Sequence, residues 1–135
     1  MENSTVLDKF LRYVKIDTQS SEETSDKVPS TERQRELAKL LYEELVQLGA
    51  SDVRYEEEHC YVYAVIPSNM EESGKKIPAV GFIAHMDTSP AVSGKNVNPR
   101  VIENYDGNDI VLNQEKNIVT CVSDFPMLKN CVGKR

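Results

Sequence analysis

His85 and Asp87 are the residues of this chain best suited to do chemistry. They follow the apolar run Ala79-Val80-Gly81-Phe82-Ile83-Ala84 and precede the turn-forming Thr88-Ser89-Pro90. An apolar strand ending this way delivers its last side chains to the rim of a sheet, where α/β enzymes keep their ligands. Residues two apart on extended backbone share a side, so the imidazole and the carboxylate can meet. A neutral imidazole is a ready metal ligand, and a carboxylate on its other nitrogen fixes the tautomer. The same three residues also suit a structural histidine hydrogen-bonded at a strand end, and a bare His-x-Asp does not choose between the two. The chain has only two histidines, so little else in it can build such a site.

The remaining reactive residue types carry blander readings. Cys60, Cys121 and Cys131 are odd in number and show no Cys-x-x-Cys spacing, which fits reduced thiols in a cytoplasmic protein. Cys60 neighbours His59, but adjacent strand residues point to opposite faces, so a nucleophilic pair is poorly supported. His59 reads as a solvated turn residue and Glu56-Glu57-Glu58 as a charged face, although paired carboxylates also bind cations. Asp17, Thr18, Ser20, Ser30 and Thr31 have capping and turn hydrogen bonding as their default role, with support of a site from behind as the alternative. Lys95, Asn96 and Asn98 suit either a peptide-binding loop or an ordinary surface loop.

Composition bounds the partners. The chain has 135 residues, a net charge of −6 and no notable Lys/Arg cluster, which argues against nucleic acid or an anionic membrane surface. Met1-Glu2-Asn3-Ser4-Thr5 lacks the basic and apolar regions of a secretory signal, and no apolar stretch is long enough to span a bilayer. The length fits a single domain over residues 1–135 with an aliphatic core, since there is no Trp and only three Phe.

The elements that must position the pair can be read in order. Thr5 with Asp8 makes a capping-box-like start, and Val6, Leu7, Phe10, Leu11 and Val14 follow at helical spacing to an end near Lys15. Residues 17–27 form a polar loop. A second helix starts after Pro29 with Ser30 or Thr31 as cap, carries the stripe Leu37, Leu41, Leu45 and Leu48 widened by Ala38 and Leu40, and stops at Gly49. Two strands, 52–57 and 60–66, are joined by a tight turn at Glu58-His59, the second strand reading as covered on both faces. After a charged loop over 68–76, residues 77–84 form the clearest strand of the chain. Short strands are expected at 101–102, 109–112 and 118–121, and a helical turn from Pro126 ends at Gly133. Two helices followed by strands give an α/β or α+β layered domain.

Longer segments carry a family resemblance. Tyr13-Val14-Lys15-Ile16-Asp17-Thr18-Gln19-Ser20, Val28-Pro29-Ser30-Thr31-Glu32-Arg33-Gln34 and residues 82–98 resemble the peptidase T family, tripeptide aminopeptidases among the M20 dinuclear zinc metallopeptidases. His85-Met86-Asp87-Thr88-Ser89-Pro90 with Ser93-Gly94-Lys95-Asn96-Val97-Asn98-Pro99 is far more specific than the bare pair. Glu103-Asn104-Tyr105, Gly107 and Asp109-Ile110 continue the likeness, which covers essentially the whole chain. The resemblance implies an α/β fold, the N-terminal part of a zinc-peptidase catalytic domain, with two helices followed by a mixed β-sheet that is incomplete without its C-terminal half. It implies a cytoplasmic enzyme that takes the N-terminal residue from tripeptides. His85 then matches a ligand to one of two Zn2+ ions, and Asp87 matches the catalytic aspartate that orients that histidine.

The resemblance also implies what is missing. The family's bridging aspartate, Glu-Glu pair, further aspartate and distal histidine do not follow Asp87, nor does its lid or dimerisation domain. One histidine cannot hold two zinc ions, since a catalytic zinc needs about three protein ligands. The 135 residues by themselves are therefore expected to be inactive and to bind zinc weakly at best, with any homodimer confined to the full-length protein. Two other readings stay open: a different M20 hydrolase, such as a dipeptidase or an acyl-amino-acid deacylase, and a non-catalytic truncated domain that associates with a partner chain. Residues that bind substrate are not identified.

Overall fold

The computed structural model describes residues 5–24, 26–70, 74 and 77–134. The chain separates into two compact units, 1–98 and 99–135. Two helices are followed by two small antiparallel sheets and a 3₁₀ helix, an α/β mix as expected. Among the described residues the strands lie in two separate antiparallel pairs, with parallel pairing only at a Gln19–Thr88 bridge, where one mixed sheet is expected.

In the first unit, α1 spans Val6–Tyr13 and starts at the expected capping box: the Thr5 hydroxyl accepts the Asp8 amide while the Asp8 carboxylate accepts the Thr5 amide. Helix α2 spans Gln34–Gln47, and neither Ser30 nor Thr31 caps it. Tertiary partners have taken those hydroxyls. Ser30 Oγ accepts the Ser21 amide at 3.1 Å, and Thr31 Oγ1 donates to the Gln19 carbonyl at 2.8 Å. Of the expected stripe, Leu37 and Ala38 are buried, while Leu48 lies past the helix end and is exposed. Strands β1 (Ser51–Glu56) and β2 (Tyr61–Val65) form the hairpin against which α2 packs, in the register Arg54–Tyr63, Tyr55–Val62, Glu56–Tyr61. The expectation that β2 is covered on both faces fails, because Tyr61, Tyr63 and Val65 remain about half exposed. A two-stranded hairpin with one helix has material for one covered face only.

Glu44 ties the two helices together. Its nearly buried carboxylate accepts Lys9 Nζ at 2.9 Å, the Arg12 guanidinium and the Tyr13 hydroxyl. Burial alone drives a carboxyl pKa upward, but here the hydrogen bonds from Tyr13 and Lys9 and the charges of Arg12 and Lys9 outweigh it and hold Glu44 below its ordinary range. Burial, and then the bond to the Glu44 carboxylate, pushes the Tyr13 phenol up to about 12.

The clearest expected strand, 77–84, is not formed. Those residues run without a ladder partner among the described residues, and Val80, Phe82 and Ile83 are 75%, 93% and 101% exposed. Apolar content prepares a segment for a sheet, but strand geometry persists only where a neighbour takes its N–H and C=O groups. Nothing among the described residues supplies that neighbour.

The second unit holds the hairpin of β3 (Ile110–Asn113) and β4 (Ile118–Thr120), close to the expected positions, and a 3₁₀ helix at Pro126–Cys131 where a helical turn is expected. Gly133 follows it with a left-handed φ of +72°, a conformation that glycine adopts without strain. The strand expected at 101–102 does not form. Instead the neighbouring Arg100 guanidinium donates to the Val111 carbonyl. Buried Tyr105 anchors this unit, donating its amide to the Lys134 carbonyl at 3.1 Å and accepting the Gly133 amide at 2.8 Å. No helix among the described residues is long and apolar enough to cross a membrane.

Candidate functional site

His85 and Asp87 do come together. His85 Nδ1 lies 3.0 Å from Asp87 Oδ1 and 2.9 Å from the Asp87 backbone carbonyl oxygen. A carbonyl oxygen can only accept, so Nδ1 must carry the proton. In the neutral ring this leaves the Nε2 lone pair free, on an imidazole that is 85% exposed. This is the donor arrangement a metal-binding histidine needs, with one nitrogen committed to a carboxylate and the other presented outward.

The backbone just beyond Asp87 is fixed by a clasp. Thr88 donates its amide to the Thr18 carbonyl at 3.1 Å, and its carbonyl accepts both the amide and the hydroxyl of Ser20 at 2.9 Å. Gln19 Nε2 donates to the Pro90 carbonyl at 3.0 Å. Asp17 thus makes the turn hydrogen bond that is its default role, and Thr18 lends backbone support to the stretch beyond Asp87, the alternative role. Asp17 Oδ1 accepts the Gln19 amide at 3.1 Å, and buried Thr18 lends its backbone carbonyl.

Arg33 and Gly94 complete the clasp, and sequence reading assigned no role to either. Arg33 Nη1 donates to Asp17 Oδ2 at 2.8 Å, and its Nε donates to the Gln19 carbonyl at 3.2 Å. A methyl group added at Gly94 would sit 2.8 Å from Asp17 Oδ1, so the glycine permits a close approach. A lone arginine before a helix and a glycine in a polar loop give no sequence signal for this. Lys95, Asn96 and Asn98 lie exposed nearby along the chain, with Asn96 in left-handed backbone.

The other histidine stands in a different setting. His59 Nδ1 is 2.9 Å from Glu56 Oε2 and the ring stacks on Tyr61. With Glu58 these form the only group of three His, Cys, Asp or Glu side chains among the described residues close enough to share a cation. Glu56 already accepts the Glu58 and His59 amides, so the turn itself accounts for its carboxylate.

The cysteines are free thiols. Burial, only partly offset by a hydrogen bond from Tyr55, pushes the Cys60 pKa up, which disfavours the thiolate. In native protein an aromatic disulfide reagent is expected to label exposed Cys131 at least about tenfold faster than buried Cys60, with the difference erased in denaturant. Equal native rates would contradict the burial of Cys60.

No family model matches the chain. Curated proteins do. The chain is 58% identical over 129 residues to Peptidase T of Alkaliphilus oremlandii, covering 96% of this chain and 31% of that protein. It is 56% identical over 129 residues to Peptidase T of Clostridium botulinum strain Langeland, covering 96% of this chain and 30% of that protein. The chain therefore spans about three tenths of the length of the curated relatives it matches.

Proposed function

This chain belongs to the peptidase T family, with 129 of its residues aligned to a member at 58% identity, and on that premise we propose that it is part of a zinc-dependent tripeptide aminopeptidase. That identity, reaching across the His85–Asp87 segment, is the observation that carries the reading. Both compact units are read as parts of one metallopeptidase catalytic domain. Its substrates are small peptides, its dimer forms only in the full-length protein, and its compartment is the cytoplasm, where three free cysteines stay reduced.

His85 offers Nε2 to a metal, and Asp87 holds the opposite nitrogen as a donor, which keeps the ring in the ligating tautomer. The donor chemistry fits zinc, although these residues contribute one ligand and the others must come from further chain. Bound zinc supplies Lewis acidity and a water that ionises near neutral pH. Asp87 also stabilises positive charge that builds on the imidazole, because its carboxylate faces the ring nitrogen directly.

The test is a substrate panel on protein of the relatives' full length, with zinc present. Release of the N-terminal residue from tripeptides, lost on chelation and restored by zinc, is the expected result. Turnover of N-acyl amino acids or dipeptides without tripeptides would assign a different M20 activity. The 135 residues by themselves are expected to leave all these substrates intact.

A further inference from the structure

Resting on the reading of His85 and Asp87 as site residues, we propose that Arg33 is a positioning residue that holds them in place through the clasp of residues 17–20 on Thr88. The apolar run leading to His85 has no ladder partner among the described residues, so within these 135 residues the fixed points nearest the pair lie on its C-terminal side. Among the described residues, the hydrogen bonds that fasten this stretch to the rest of its unit are made at Thr88 and Pro90. Thr88 is the residue after Asp87, and both of its backbone groups are used.

The partner segment has no helix or ladder of its own to steady it. Gln19 is instead gripped at both backbone groups. Its amide is held by Asp17, and its carbonyl by Thr31 and Arg33. Arg33 is the side chain that reaches both Asp17 and Gln19, and it sits at the start of α2, the helix packed on the β1–β2 hairpin. Its guanidinium fork therefore relays the rigidity of the helix to the backbone beside the site. The contact between exposed His85 and half-buried Asp87 spans two residues, and on the proposal it keeps its geometry while that backbone is held.

Two readouts on the 135-residue chain test this without metal or substrate, so their failure is distinct from failure of the peptidase assignment. They are amide exchange by NMR and the nitrogen chemical shifts of the His85 ring at a pH where it is neutral. In Arg33→Ala, the Ser20 and Thr88 amides are expected to exchange at least about tenfold faster while the β1–β2 amides keep their protection. His85 should shift from the Nδ1–H tautomer toward a mixture. Arg33→Lys keeps a cation for Asp17 but loses the second prong to the Gln19 carbonyl, and should restore both signals only in part. Gly94→Ala keeps every charge but crowds Asp17, and should loosen Ser20 and Thr88 in the same pattern, which decides the matter if Arg33→Ala does not fold. Unchanged Thr88 exchange and an unchanged ring tautomer in both variants would overturn the proposal. So would an equal loss of protection in the hairpin, which would make Arg33 a general stability residue.

Discussion

Replacing His85 with alanine is expected to abolish zinc-dependent tripeptide hydrolysis in protein of the relatives' length, a loss on the order of a thousandfold or more. The residue offers a free Nε2 from a ring whose other nitrogen is already committed, and alanine leaves a metal short of one ligand. Asp87→Asn separates the two jobs of the aspartate. An amide in this place can present its oxygen to Nδ1, and the backbone carbonyl at 2.9 Å also favours the Nδ1–H form, so the ligating tautomer survives in part. What is lost is the negative charge beside the imidazole. The variant should therefore bind zinc roughly ten- to a hundredfold more weakly, and its rate should fall further than its affinity. Metal competition against a chelator, together with kcat and KM on a tripeptide, reads both effects. Full activity in His85→Ala would remove the metal-ligand assignment.

The largest effect on stability is expected at Glu44. Glu44→Ala strips one carboxylate from three donors, leaving Lys9 and Arg12 without their shared partner and the Tyr13 hydroxyl without its acceptor. A charged hydrogen-bond network of this kind is worth about 2 kcal/mol once the solvent access of Lys9 and Arg12 is allowed for. For so small a core that is a large fraction of the total. The same cluster sets a pH dependence. Glu44 has a folded pKa below its ordinary 4.5, so its stabilisation is present above that value and is lost as pH falls through the folded one. Tyr13 titrates near 12 when folded against an ordinary 10.0, so its contribution is whole below 10 and fades as pH rises toward 12. Thermal melts should therefore show a plateau across neutral pH with a fall on each side. Glu44→Ala should flatten both falls, and a variant that melts like the parent at every pH would show that the cluster contributes nothing.

Local chemistry was legible where a residue's partners lie nearby in sequence. The capping box of Thr5 and Asp8, the hairpin around His59 and the meeting of His85 with Asp87 all involve residues no more than fourteen apart. The α2 start departs from its expected cap for the opposite reason: Ser30 Oγ accepts the Ser21 amide and Thr31 Oγ1 donates to the Gln19 carbonyl. The run 77–84 departs from its expected strand because composition shows that a segment can join a sheet but not whether a neighbour is there to receive it.

The sequence by itself therefore determined the family, the α/β class and the meeting of His85 with Asp87, because long specific motifs and short-range geometry are written in residue order. Only the tertiary structure decided what holds that pair. Arg33, Asp17, Gly94 and Thr88 are separated by up to 77 residues and converge on one backbone clasp. Such contacts depend on how the chain returns to itself, which no local pattern of side chains specifies.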